Sequence, residues 1–317
     1  MCYGFSDDRA LATARAQRSP GRRPLLRGAV AGALAMTAAL AAGSAAAHAT
    51  PRRRGPELVP PGRISIQLWT MRDALNGTPG FDETLRAIAR LGYPKVEQAL
   101  GYFGRTAAEL RAFYDEIGVR ATSSHDGIAA DAAALETKLA NARTLGQSFM
   151  VVPYLDAPSA DDWKRYAEQM NHEASAARSL GLRYGYHNHA HEFTRDLGGR
   201  TPWEVLTAEL DPGLVHLEID LYWAATGGIE SGDGARDPEG FVLDVIRSAP
   251  QRVLQYHVKD RDPATGDMAD LGTGMIDFRR IFRAHPVLEY IVENDTPDVT
   301  PLRTAETGYS YLRALRC

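Results

Sequence analysis

The chain has 317 residues, 36 basic and 40 acidic, for a formal net charge of −4. That length, with 44 % hydrophobic residues, can bury a core of single-domain size. The acidic balance and the lack of a basic stripe beyond Arg52–Arg54 exclude nucleic acid as an expected partner, and the two cysteines, Cys2 and Cys317, exclude a cysteine-based zinc site.

At the N-terminus, Arg22 and Arg23 are followed by Pro24, Leu25, Leu26 and Arg27, then by an Ala-rich apolar run from Gly28 to Ala47. Ala47-His48-Ala49 fits a small-residue cleavage site. Residues 1–49 therefore read as an export signal, with the twin arginine pointing to the twin-arginine route and to a periplasmic or extracellular destination. The apolar run barely reaches the ~18–20 strongly apolar residues that a membrane span needs, so no stable span is expected after cleavage. Met1–Pro20 reads as a disordered leader or as the product of an upstream start codon. Removing residues 1–49 takes away six arginines and two aspartates, leaving 30 basic and 38 acidic residues and a net charge of −8. Residues 50–63 read as a linker, and 64–317 as the folded domain.

From Ile64 onward, short β-branched or aromatic runs alternate with amphipathic stretches of ten or more residues. Strands are expected at 64–70, 95–99, 120–125, 149–154, 183–189, 214–221, 253–259 and 289–294. Helices are expected at 81–91, 131–145, 159–180, 201–210, 238–248, 278–284 and 301–315, with another opened by the capping box Thr106-Ala-Ala-Glu109 and closed at Gly118. Glycines 92, 118, 146 and 181 stand where a left-handed residue ends a helix. Eight strand–helix units in this length indicate a single closed parallel (β/α)8 barrel, with its active site at the C-terminal ends of the strands. An open doubly wound sheet is disfavoured because no Gly-rich phosphate loop follows the first strand. The GTG at 272–274 reads as a tight turn, with no Lys-Ser/Thr after it.

Polar residues gather at the strand ends: Trp69, Glu97, His125, His187, His189, Asp220, His257, Lys259 and Glu293. Strand alternation places His187 with His189, Glu218 with Asp220, and His257 with Lys259 on shared faces. Inward-facing tips from strands five to eight can bring His187, Asp220, His257 and Glu293 to one point. Two imidazoles and two carboxylates suit one divalent ion such as Mn, Zn, Fe, Co or Ni. Glu218 sits one layer deeper and reads as a supporting group, and His216 as a residue of the barrel interior. Glu192, just past the fifth strand, reads as able to bind substrate, move a proton or bind the metal.

The segments QLWTMRD (67–73), YHNHAHEF (186–193), EIDLYWAATGG (218–228), HVKD (257–260), DLGTGMIDF (270–278) and VENDTP (292–297) together resemble the sugar phosphate isomerase/epimerase superfamily, with its xylose isomerase-like barrel. The resemblance implies a divalent metal, manganese first among the candidates, held by groups from strands five to eight. Asp220, His257 and Glu293 match three of the superfamily's four ligands. The fourth, usually Glu, is His187 here, which places the chain closer to a YHNH-type branch that resembles inosose dehydratase-like and 3-ketoglycoside-processing enzymes.

The expected chemistry is proton abstraction beside a carbonyl of a sugar, keto-sugar or polyol. Glu293, His187 and Lys259 are the candidate catalytic groups, and Trp69, Glu97, His125, His189, Glu192 and Trp223 the candidate substrate contacts. Elimination or hydration on the same site is the alternative, followed by metal-assisted hydrolysis and by a non-catalytic carbohydrate-binding barrel. The expected partner is a small carbohydrate, unphosphorylated if the chain is exported, and homo-oligomerisation is left open.

Overall fold

The computed structural model describes residues 55–317; the export signal and cleavage site expected at 1–49 lie outside the described residues. Eight parallel strands form the barrel: β1 (Ile64–Gln67), β2 (Lys95–Gln98), β3 (Arg120–Ser124), β4 (Phe149–Val152), β5 (Arg183–His187), β6 (Val215–Asp220), β7 (Val253–Val258) and β8 (Glu289–Val292). They are hydrogen-bonded in the order β3-β2-β1-β8-β7-β6-β5-β4. Closure between β3 and β4 comes from a parallel bridge between His125 and Val151 and from two bonds, Ser148 N to Thr122 O (2.8 Å) and Asp126 N to Val151 O (2.9 Å). This is the (β/α)8 barrel that the sequence predicts.

The strands read as near-continuous buried runs because helices cover one face and the barrel interior the other; all six residues of β6 and of β7 are buried. The expected strands are trimmed at their polar ends. Leu68–Met71, for instance, forms a 3-10 turn after β1, capped by the Gln67 side chain. Nine helices of seven or more residues surround the barrel among the described residues: α1 (Phe81–Leu91), α2 (Ala107–Ile117), α3 (Ala132–Leu145), α4 (Ala160–Ser179), α5 (Pro202–Glu209), α6 (Leu221–Ser231), α7 (Pro238–Ser248), α8 (Phe278–Ala284) and α9 (Pro301–Ala314). The capping box at Thr106 and Glu109 forms, and Gly92, Gly118 and Gly146 are left-handed C-caps.

Two features differ from the sequence reading. Helix α6 directly follows β6 and was not among the expected helices. Its Gly227 and Gly228 are points of close packing: a Cβ on Gly228 would lie 2.4 Å from the Phe241 ring, and one on Gly227 2.8 Å from Phe193. The segment expected as linker joins the barrel's compact unit from Pro56 onward. Val59 is fully buried, Leu58 N donates to Leu315 O (3.2 Å), and Cys317 N donates to Pro56 O (3.0 Å). Among the described residues no helix is long and apolar enough to cross a membrane.

The barrel interior is polar in layers. Near the N-terminal end of the strands, Glu289 accepts from Thr122 Oγ1 (2.6 Å) with Lys95 Nζ at 3.7 Å. Above it, His216 pairs with Gln255 (2.9 Å), and Gln255 donates to Ser123 (3.1 Å). The next layer up is the candidate site.

Candidate metal and carbohydrate site

Two register shifts lie beside the deepest carboxylates. In the β2–β3 pairing Val96 faces Ala121 and Glu97 faces Ser123, so the extra residue is Thr122 of β3; in the β6–β7 pairing Leu217 faces Val253 and Glu218 faces Gln255, so it is Leu254 of β7. Glu97 and Glu218, both fully buried, then meet the imidazoles of His125 and His257. Glu218 Oε1 lies 2.9 Å from His125 Nε2, 3.0 Å from His257 Nε2 and 3.3 Å from His187 Nδ1. Glu97 Oε1 lies 2.6 Å from His257 Nε2 and 3.2 Å from His125 Nε2, and it accepts from Gln67 Nε2 at 2.7 Å. The rings of His125 and His257 stack, centroids 4.9 Å apart.

One layer nearer the mouth stand Asp220, Glu293 and Lys259. Asp220 ends β6 and N-caps α6 at once: its Oδ1 accepts from Trp223 N at 2.8 Å. That leaves Oδ2 pointing inward, 3.2 Å from Lys259 Nζ and 3.8 Å from His187 Nε2, with no hydrogen bond of proper geometry. Glu293 Oε2 lies 2.7 Å from His257 Nδ1 and 2.8 Å from Lys259 Nζ. A third carboxylate, Asp295, accepts from Lys259 at 2.9 Å. Asn188, in the middle of YHNH, fixes the end of β6: its Oδ1 accepts from Asp220 N (3.0 Å).

The protonation pattern follows from this crowding. Burial opposes charge on His257, but Glu218, Glu293 and Glu97 outweigh it and hold the ring well above the usual histidine range. Burial likewise opposes charge on Lys259, and Asp220, Asp295 and Glu293 outweigh it, so the ammonium persists. Burial and the His257 charge push His187 down to about 3, and burial with His187 pushes His189 well down, so both stay neutral. Burial lifts Asp220 to about 6 against the pull of Lys259; burial and Glu218 lift Glu97 to about 7.

The donor set expected from the sequence comes together. One ligand atom each from His187, Asp220, His257 and Glu293 lies within 4.8 Å of all the others, and all four residues are buried. Four ligands at ~2.0–2.2 Å from one ion span up to ~4.4 Å, so the set needs only a small contraction. The buried Asp220 Oδ2, ion-paired with Lys259 at 3.2 Å but without a hydrogen bond, is an acceptor that such an ion can use. Glu218 can take the Nδ1 proton of His187 and, with Glu97, the Nε2 proton of His257, which turns the opposite nitrogens toward the ion. The residues present therefore fit a divalent metal. A second set, His125, His187, Glu218 and His257, shares the same spacing one layer down.

The expected substrate contacts are distributed unevenly. Trp69, partly buried, sits on the turn after β1 beneath the Arg72 guanidinium (4.9 Å), and Arg72 Nη2 donates to Asp295 O (2.5 Å). Trp223 packs against His189 (5.4 Å) with Lys259 Nζ 5.4 Å above it. Glu97 and His125 lie beneath the metal set. Glu192 is fully buried: it accepts from Tyr186 Oη (2.5 Å) and from His189 N (2.9 Å), and lies 3.2 Å from His191 Nδ1. Burial lifts it to about 7. Gln67, Asn188 and Asp295 were missed as contributors. Gln67 and Asp295 stand within the QLW and VEND segments, and Asn188 within YHNH, but only the fold shows what they touch.

Among the described residues eleven buried side-chain polar atoms lack a hydrogen bond; Asp220 Oδ2, His189 Nδ1, Trp223 Nε1 and Asn294 Nδ2 belong to residues at or just beyond the strand ends, and Glu97 Oε2 and Glu218 Oε2 to the layer beneath. Buried polar groups are almost always paired, so exceptions beside the metal set are places that a bound ligand can complete.

Comparison with known proteins agrees with this architecture. No curated protein matches the chain. A sugar phosphate isomerase/epimerase from Parabacteroides distasonis superposes with a TM-score of 0.65 at 24 % identity, covering 84 % of this chain and 98 % of that one. The 3-keto-D-glucoside 4-epimerase YcjR from E. coli gives 0.56 at 16 % identity, covering 80 % and 99 %. The IOLI protein, solved with a bound zinc atom, gives 0.56 at 12 % identity, covering 78 % and 96 %. At these identities the superpositions carry the fold alone. The sequence profile of the xylose isomerase-like TIM barrel matches residues 85–285. With eight strands closed around a buried His, Asp and Glu cluster, and that profile spanning most of the barrel, the chain belongs to the xylose isomerase-like TIM barrel family.

Proposed function

We propose that this chain is a divalent-metal enzyme that moves a proton at a carbon beside the carbonyl of an unphosphorylated sugar or keto-sugar. The observation that carries the reading is the buried set His187, Asp220, His257 and Glu293, whose ligand atoms lie within 4.8 Å of one another. His187, Asp220, His257 and Glu293 would hold the ion, manganese first, with zinc, iron, cobalt, nickel or magnesium able to substitute. Bound there, it supplies an electrophile for the carbonyl and its neighbouring hydroxyl.

The chain's own groups do the rest. His189 is neutral, and its Nδ1 is buried without a partner, so it can accept a proton or bind a hydroxyl hydrogen. Trp223 Nε1 and Asn294 Nδ2 donate to hydroxyl oxygens, and the Trp69 and Trp223 faces receive the apolar side of a sugar ring. Two cations at the mouth are engaged: Lys259 faces three carboxylates, and Arg72 donates to two backbone carbonyls. Neither is free to neutralise a phosphate, which supports an unphosphorylated substrate. The YcjR comparison, an enzyme named for a keto-sugar, supports the same class.

Elimination is the second reading, and Lys259 favours it. An ammonium kept charged beside Glu293 can protonate a departing hydroxide while a neighbouring base takes the α-proton, releasing water and an unsaturated ketone. Export through the twin-arginine route, with a periplasmic or extracellular protein as the outcome, fits a free sugar or glycoside as substrate.

Metal analysis of protein purified without chelator tests the reading, comparing wild type with Asp220→Ala. About one transition metal per chain, lost in the variant, is expected, together with solvent-deuterium uptake beside the carbonyl of a keto-sugar. Water loss during the same incubation selects elimination. No metal after reconstitution, or no exchange with any keto-sugar tried, sinks the proposal and favours a binding barrel.

A further inference from the structure

The opposite end of the barrel holds a feature that the catalytic reading does not use. Between the N-terminal ends of β5, β6 and β7 lies a cavity of about 260 Å³. Three arginines line it: Arg178 from the end of α4, Arg183 from the first position of β5, and Arg252 from the residue before β7. The remaining lining is apolar or backbone apart from His216, with no carboxylate. We propose that this basal pocket binds a tetrahedral oxyanion, phosphate or sulfate, free or borne on a sugar.

All three arginines are exposed, and none forms an ion pair among the described residues. Elsewhere on this protein exposed arginines commonly find carboxylates, as Arg280 does with Asp237 and Arg303 with Glu306. Here the side-chain contacts are weak: Arg183 lies over the Phe149 ring at 5.3 Å, and Arg178 Nη1 reaches Gly213 O at 3.4 Å. Asp211, on the adjoining turn, spends its Oδ1 on the Gly213 amide (2.7 Å). Three like charges around one concavity repel one another, in a chain whose overall charge is negative. An oxyanion removes that repulsion, and planar guanidinium forks match its geometry bidentately.

Isothermal calorimetry of the purified chain with inorganic phosphate, at constant ionic strength in chloride, tests this directly. One saturable site per chain is expected, weakened at least tenfold in Arg252→Gln and in Arg183→Gln. Arg90→Gln, on α1 at the other side of the barrel, should bind like wild type. Asp220→Ala should also bind like wild type, which separates this pocket from phosphate captured at the mouth. Glucose 6-phosphate in place of phosphate then identifies the source: tighter binding assigns a sugar-borne group, and equal binding the free ion. No saturable phosphate binding, or binding that survives both arginine substitutions, overturns the proposal.

Discussion

Glu218 shows how much one side chain can organise. It contacts three imidazoles, one just after β3 and the others on β5 and β7, and although burial pushes its carboxyl up, His257, His125 and His187 together draw it well below the usual range. Replacing it with glutamine leaves the four expected ligands in place but removes the anion that orients two of them. Metal affinity should fall ~10–100-fold, read by competition with a metal indicator; an unchanged affinity would show that the histidines need no such support. Glu192 makes a separate prediction. Its folded pKa, about 7, lies above the unfolded value, so its protonated form contributes stability at low pH that is lost as pH rises through 7. Glu192→Gln should unfold like wild type near pH 4.5 and become more stable than wild type above pH 7, by ~3 kcal/mol. Parallel denaturant midpoints across that range would contradict it. From sequence alone, Glu192 could be a ligand, a base or a substrate contact. Its burial among Tyr186, His189 and His191 was not legible there, because no periodicity tells how a short turn after a strand folds inward.

At the scale of elements, the GTG segment repays a closer look. Asp260, nearly fully buried just beyond β7, accepts from the amides of Arg261 (2.8 Å), Gly272 (3.0 Å), Gly274 (3.1 Å) and Ile276 (3.1 Å). A short antiparallel ribbon, Asp260–Arg261 with Met268–Ala269, completes the loop, and Tyr222 Oη ties Gly266 O to α6 at 2.9 Å. A Cβ on Gly274 would stand 2.3 Å from Asp260 Oδ1, so this glycine is dictated by the carboxylate it wraps. Asp260→Ala should cost on the order of 3 kcal/mol, seen as a lower urea midpoint with a retained far-ultraviolet spectrum; an unchanged midpoint would mean that water replaces the carboxylate without loss. The sequence reading of GTG as a turn was right about conformation and silent about cause. Helix α6 was hidden for a related reason: its two glycines answer to Phe193 and Phe241, residues remote in sequence, and not to local helix propensity.

At the scale of the molecule, the barrel was the most legible feature. Continuous apolar strands alternating with capped helices admit few other closed arrangements, and all eight expected strands appear in order. The depth of the site was less legible, because the extra residues opposite Glu97 and Glu218, Thr122 of β3 and Leu254 of β7, shift how one strand's side chains stand against the next along the barrel axis. A metal bound by groups from four strands would couple the site to the whole fold. Chelation should lower the melting temperature of wild type but not of Asp220→Ala; saturation at 100 times Kd corresponds to about 2.7 kcal/mol. Equal responses of the two proteins would place the metal elsewhere.

Cys317 N donates to Pro56 O, so the first and last described segments of the barrel are neighbours. A closed ring of eight units then does not depend on which unit the chain starts with. A short Gly-Ser joint from Cys317 to Pro56, with new ends opened between Gly198 and Gly199 on the exposed turn before α5, should yield a permuted chain that still closes the ring and still assembles the metal ligands, although β5 would then end the polypeptide and β6 begin it.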